Sequence, residues 1–124
     1  MKTIVVLATL VAAAMAIPAD TYNPDYDHFN AQEIADNPRL LRNFGKCIID
    51  DGPCTREGTD MKKVIPEALE TNCVKCTPKQ RELVRIIVRA FQKELPELWS
   101  EITKKHDPNG QYKESLNEFL NADD

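Results

Sequence analysis

The residues best placed to do chemistry are four cysteines, Cys47, Cys54, Cys73 and Cys76. Their spacing, Cys-x6-Cys followed by Cys-x2-Cys, raises three uses: disulfide bridges, a four-thiolate zinc site and a redox dithiol. A zinc site wants two close knuckles, and the first interval is too wide for one. A redox Cys-x2-Cys sits at a helix start beside a β-α-β pattern, whereas Cys73-Val74-Lys75-Cys76 falls between two helical segments with no strand pattern nearby. Four cysteines allow three connectivities, and the spacing favours the local pairs Cys47 to Cys54 and Cys73 to Cys76. Loops of 8 and 4 residues would contribute only about 2.5 and about 2 kcal/mol by chain entropy, so such bridges serve mainly to fix corners between helices.

Other chemistries find little to work with. There are two histidines, His28 and His106, and no Gly-x-Ser-x-Gly, His-Glu-x-x-His or glycine-rich phosphate loop. His106, beside Asp107 at a helix-ending turn, reads as a solvated C-terminal residue rather than a base. Asp25, Asp27 and Asp50-Asp51 do not match the EF-hand spacing and read as exposed charge. The expectation is therefore a chain with no catalytic residue, no metal and no cofactor.

The elements that must position the cysteines belong to a chain of 124 residues with 16 Lys+Arg against 20 Asp+Glu. A net charge of −4 gives no basic surface for nucleic acid or anionic lipid. Met1 to Ala16 has the form of a secretory leader: one charge at Lys2, an apolar run from Ile4 to Ala14, and Ala14-Met15-Ala16 as a small-x-small cleavage site. The run is too short to span a bilayer, which takes about 20 residues. The expectation is a secreted chain without stable membrane insertion, with residues 17–124 as a single domain and the cysteines in an oxidising compartment.

From residue 30 onward the apolar spacing is helical, and the fold class is all-α. Asn30 and Asn37-Pro38 open two short helices, Thr55 caps a third, and Thr77-Pro78-Lys79-Gln80 is a capping box for a fourth. Pro96 starts a fifth helix, and Asp107-Pro108-Asn109-Gly110 turns the chain into a sixth. Pro66 lies inside the third and should bend it. On the fourth, Leu83, Ile86, Ile87, Ala90 and Phe91 face inward and Val84, Val88 and Leu95 widen that face, while Arg81, Arg85, Arg89 and Gln92 form the wet side.

This cysteine pattern in a secreted helical chain resembles the insect chemosensory proteins, the OS-D-like family. The resemblance is carried further by Tyr22-x3-Tyr26-Asp27, Asn37-Pro38-Arg39-Leu40-Leu41, Leu69-Glu70-Thr71-Asn72 ahead of Cys73, Trp99, and Lys105-His106 ahead of the Asp107 turn. It implies six short helices around an internal hydrophobic channel and a disulfide within each close cysteine pair. It also implies monomeric, reversible carriage of small hydrophobic molecules such as long-chain alcohols, acids, esters and aromatics, including odorants and pheromones. The family's pocket aromatics fall on Phe44, which keeps the ring without the hydroxyl that many members have, and on Trp99. The candidate channel wall adds Leu41 from the second helix, Ile65 and Leu69 from the third, Val84, Ile87, Val88 and Phe91 from the fourth, and Leu98 and Ile102 from the fifth. A rival reading keeps the fold but treats the interior as plain core, with the charged outer faces binding an extracellular protein partner in development or defence. N-terminal sequencing of the secreted protein should begin at Ile17; material beginning at Met1 overturns the leader assignment.

Overall fold

The computed structural model describes residues 21–122, and the leader read at residues 1–16 lies outside them. Among the described residues there are six α-helices and no strand: α1 (Ala31–Asp36), α2 (Pro38–Ile48), α3 (Arg56–Thr71), α4 (Pro78–Glu94), α5 (Pro96–His106) and α6 (Lys113–Asn121). A 3-10 turn at Pro24–His28 precedes them, ahead of the point where apolar periodicity begins.

Local chemistry accounts for most boundaries. The Asn30 side chain accepts from the Glu33 amide at 3.0 Å, and that of Asn37 accepts from the amides of Arg39 and Leu40. Thr55 Oγ1 accepts from the Gly58 amide at 3.0 Å. Thr77 and Gln80 form the expected capping box, each side chain accepting from the other's amide at 3.1 Å. Helix α3 continues unbroken through Pro66 and ends on Asn72, whose φ of 58° is the left-handed conformation that asparagine tolerates at a helix end.

The two disulfides join Cys47 to Cys54 and Cys73 to Cys76, with Cα atoms 4.9 and 5.2 Å apart. They bracket α3: the first ties the end of α2 to the residue before the Thr55 cap, and the second ties the residue after Asn72 to the residue before the Thr77 cap. Both ends of that helix are therefore fixed covalently.

Close packing is confined to a subset of the helices. Helix α4 lies against α1, and α2 against α1, α3, α4 and α5, with α5 also on α4; α3 approaches only α2 this closely, and α6 approaches no helix so closely. The main core, with Leu41, Ile48, Ile87, Phe91 and Ile102, fills the tight subset, and a smaller cluster gathers Phe119 and Leu120 of α6 around Cys73. Gly45 allows the tight approach, because a Cβ there would stand 2.6 Å from Leu98 Cδ2 and 2.8 Å from Phe91 Cε1.

Helix α6 is held by cations. Arg85 Nε donates to the Phe119 carbonyl at 2.8 Å and Arg89 to the Leu120 carbonyl at 2.6 Å, which satisfies acceptors at the helix C-terminus. The guanidinium carbons of Arg81 and Arg85 also lie 4.9 and 4.5 Å from the centre of the Phe119 ring. The arginine face expected to be wet is thus a docking face for α6, because guanidinium groups can cover a ring and cap carbonyls at once.

Asp50, in the α2–α3 turn, binds Lys105 of α5 at 2.7 Å and Lys62 of α3 at 2.6 Å, and these two ammonium groups hold its carboxyl down to about 2 from the ordinary 3.8. The folded value lies below the unfolded one, so this contribution to stability is complete above about pH 4 and is lost as pH falls through about 2. Between about pH 5 and about pH 2, the urea midpoint should fall less steeply for Asp50→Asn than for the parent chain; asparagine also accepts the positive φ of 63° at this position. Equal slopes would contradict the bridge. At Gly45, alanine gains up to about 1 kcal/mol in helix propensity but meets the Phe91 ring, which is 1% exposed and cannot withdraw. Overpacking costs about 1–3 kcal/mol, so Gly45→Ala should lower stability by up to about 2 kcal/mol in a denaturant titration.

Candidate functional site

Helix α3 shows where the interior is incomplete. Its inward face carries Met61, Val64, Ile65, Ala68 and Leu69, yet each of these is only half-buried. An apolar helix stripe is normally covered by a neighbouring helix. Here it faces a partly open cavity of about 490 Å³.

The opposite wall is α4, through Leu83, Val84, Ile87, Val88 and Phe91. Helix α6 closes a third side with Leu116 and Phe119. Four aromatic rings run along the wall in series. Phe29 and Phe44 have centroids 6.1 Å apart, Phe44 and Phe91 6.5 Å, and Phe91 and Trp99 6.4 Å, the last pair inclined by 18°. Offset rings at these spacings attract one another and stiffen the surface they form.

Nine of the eleven candidate wall residues line this cavity: Phe44, Ile65 and Leu69, then Val84, Ile87, Val88 and Phe91, then Trp99 and Ile102. Leu41 and Leu98 do not. Leu41 is fully enclosed in the main core, and Leu98 lies over Gly45. Helical periodicity marks both as inward-facing, but it does not distinguish a side chain that meets another side chain from one that meets a void.

The lining also includes groups from the N-terminal segment that sequence periodicity does not single out: Tyr22, Tyr26 and Phe29. This segment crosses the cavity's flank as a strap. The Tyr22 amide donates to the Lys75 carbonyl at 2.9 Å, and Gln80 Nε2 donates to the Asn23 carbonyl at 2.9 Å. Thr77 Oγ1 donates to Asp27 at 2.7 Å, and the Tyr22 hydroxyl to Glu67 at 2.8 Å. Burial first, then the Glu67 carboxylate, pushes the Tyr22 phenol up to about 12, so it keeps its proton and remains a donor. The hydrogen bond from Tyr22, and then that from Lys75, holds Glu67 below the usual carboxylate range.

At the far end, where α3 begins and α5 ends, the lining is polar. His106 is half-buried rather than solvated, and its Nε2 lies 3.3 Å from the Ile48 carbonyl. A carbonyl only accepts, so in this contact Nε2 carries the proton, while burial shifts the imidazole toward its neutral form. Asp107, in the α5–α6 corner, accepts from the amides of Gln111 at 2.9 Å and Tyr112 at 3.1 Å and so fixes the turn ahead of the last helix. Among the described residues no group of three or more His, Cys, Asp or Glu side chains is arranged to hold a metal ion, and no helix is long and apolar enough to cross a membrane.

This arrangement has known counterparts. The chain is 36% identical over 122 residues to Allergen Tha p 1 of Thaumetopoea pityocampa, covering 98% of this chain and 97% of that one. It is 38% identical over 108 residues to Ejaculatory bulb-specific protein 3 of Drosophila melanogaster, covering 86% of each. Among solved structures, a chemosensory protein in complex with bromo-dodecanol superposes with a TM-score of 0.71 at 32% identity, covering 81% of this chain and 97% of that chain. The antennal chemosensory protein A6 of the moth Mamestra brassicae does so with a TM-score of 0.63 at 33% identity, covering 79% and 92% respectively. Residues 22–114 match the insect pheromone-binding family, A10/OS-D, and with those six helices, both cysteine bridges and the partly open apolar hollow, the chain belongs to that family.

Proposed function

We propose that the protein is a secreted carrier that takes up single-chain or small aromatic hydrophobic molecules in the cavity between α3, α4 and α6 and releases them unchanged. The observation that carries this reading is the half-buried apolar face of α3 over a hollow of about 490 Å³. That volume falls within the range of about 300–1,000 Å³ usual for small-molecule sites. Membership of a pheromone-binding family supports it, as does a structural relative that holds bromo-dodecanol. Two disulfides fit an oxidising compartment and hence the leader read in the sequence.

The wall residues proposed to touch the guest are the nine that line the hollow together with Met61, Val64 and Ala68 of α3. Binding through such a surface is driven by area. Burying roughly 300 Å² of acyl chain at about 25 cal/mol per Å² gives around 7 kcal/mol before ordering costs, so the affinity from area alone is about micromolar at its tightest. Exchange at that affinity suits delivery.

Trp99 is the single tryptophan and lies in the wall, so its emission should change as long-chain alcohols, acids or esters bind. Val88→Phe, which puts a ring into the hollow, should weaken binding about tenfold or more and at the same time raise the melting temperature of the empty protein by filling space. An unresponsive Trp99 together with failure to displace an apolar dye overturns the carrier reading. A lower melting temperature for Val88→Phe shows the interior to be packed solid at that point.

A further inference from the structure

The charged groups of the lining are confined to one region of the hollow, and this bears on which guests it prefers. Near α4's start the polar groups are already committed to one another. Tyr22 donates to Glu67, Thr77 to Asp27, and Gln80 is engaged through both its amide oxygen and its amide nitrogen. Glu67 and Asp27 do not themselves line the hollow, and no lysine or arginine lines it at this end, so an anionic head finds no cation there.

At the α5–α6 corner the lining contains Lys104 on α5 and Lys113 on α6. Both are exposed, and neither has an ion-pair partner among the described residues; the neighbouring Lys105 is engaged by Asp50. The one carboxylate in this part of the lining, Asp107, spends both oxygens on the amides of Gln111 and Tyr112. An amphiphile lying along the apolar wall with its head at this corner would meet two ammonium groups from different helices, with hydrocarbon behind them. Entry in the opposite sense would place its head at an end with no lysine or arginine in the lining.

We infer that the α5–α6 corner is a head-group site for a carboxylate, so that the cavity takes ionised fatty acids head-outward at Lys104 and Lys113 in preference to uncharged molecules of the same length. This rests on the carrier reading and adds an orientation and a ligand class to it. Each exposed ammonium–carboxylate contact shifts an equilibrium by up to about fivefold, and the pair sets a preference of about tenfold, weakened by salt.

The test is displacement of N-phenylnaphthylamine by tetradecanoic acid and by tetradecanol at about pH 7.5, where the acid is ionised. It uses the parent chain, Lys104→Gln, Lys113→Gln, the double variant, and Lys63→Gln as a control on an exposed α3 lysine outside the lining. The acid should bind several-fold more tightly than the alcohol to the parent. That advantage should shrink in each single variant, disappear in the double variant with alcohol affinity unchanged, persist in Lys63→Gln and decline with added salt. Equal affinity for acid and alcohol in the parent, loss of both ligands together in the double variant, or the same loss in Lys63→Gln overturns the carboxylate site while leaving the carrier reading intact. If neither ligand displaces the dye, the carrier reading itself fails and this assignment falls with it.

Discussion

The structure depends on a mismatch between how α3 is held and what it would bury. An amphipathic helix ordinarily keeps its place because its apolar stripe is covered, and covering it is most of its stability. Helix α3 is instead held by its ends and flank: a disulfide at either terminus, Asp50 on Lys62, and Tyr22 on Glu67. These ties act off the apolar face. They fix the helix at a stand-off from α4 that hydrophobic collapse alone would remove, and the hollow is what that stand-off leaves.

Helix α6 repeats the solution with different chemistry. Its C-terminal carbonyls and the Phe119 ring are gripped by arginines projecting from α4, and Phe119 and Leu120 also pack with Val84 and Val88 of that helix. Meanwhile α1, α2, α4 and α5 complete a close-packed core of their own around Leu41 and Phe91, with Gly45 permitting the tightest approach. Core and hollow share a wall, because Ile48, Leu83, Ile87, Phe91 and Ile102 belong to both. A guest that enters the hollow stabilises the whole by mass action, with about 2.7 kcal/mol at a concentration one hundred times its dissociation constant.

The fold was legible in the sequence wherever the signal is local. Asn37 before Pro38, the box of Thr77 and Gln80, and Asn72 after the α3 periodicity state the helix ends in short-range chemistry. What could not be read is non-local. The turn at Pro24–His28 owes its position to bonds with Gln80 and Thr77, more than fifty residues away on one side or close to it on the other, as the separations of 57 and 50 show. Arg81 and Arg85 have the spacing of a solvated face and are covered because α6 returns to them and because Arg81 reaches the Asn72 and Cys73 carbonyls. His106 stands at a helix end like any wet residue, and it is the Ile48 carbonyl of another helix that draws it in. Leu41 and Val88 share an inward pattern, yet one is enclosed on all sides and the other also borders the hollow. Periodicity reports direction, and the family resemblance supplied the expectation of a hollow.

The half-buried state of Met61, Val64 and Leu69, which pack into neither core cluster, has a consequence for divergence. In an interlocked interior, a change of one methylene disturbs every neighbour and is removed by selection. A side chain that borders empty space can lengthen, shorten or branch with little strain, because the ties that hold its helix lie elsewhere. Duplicated copies of such a chain can therefore drift apart in the shape and length of guest they admit while keeping the same scaffold, and a lineage acquires new chemical tastes without having to re-solve the folding problem.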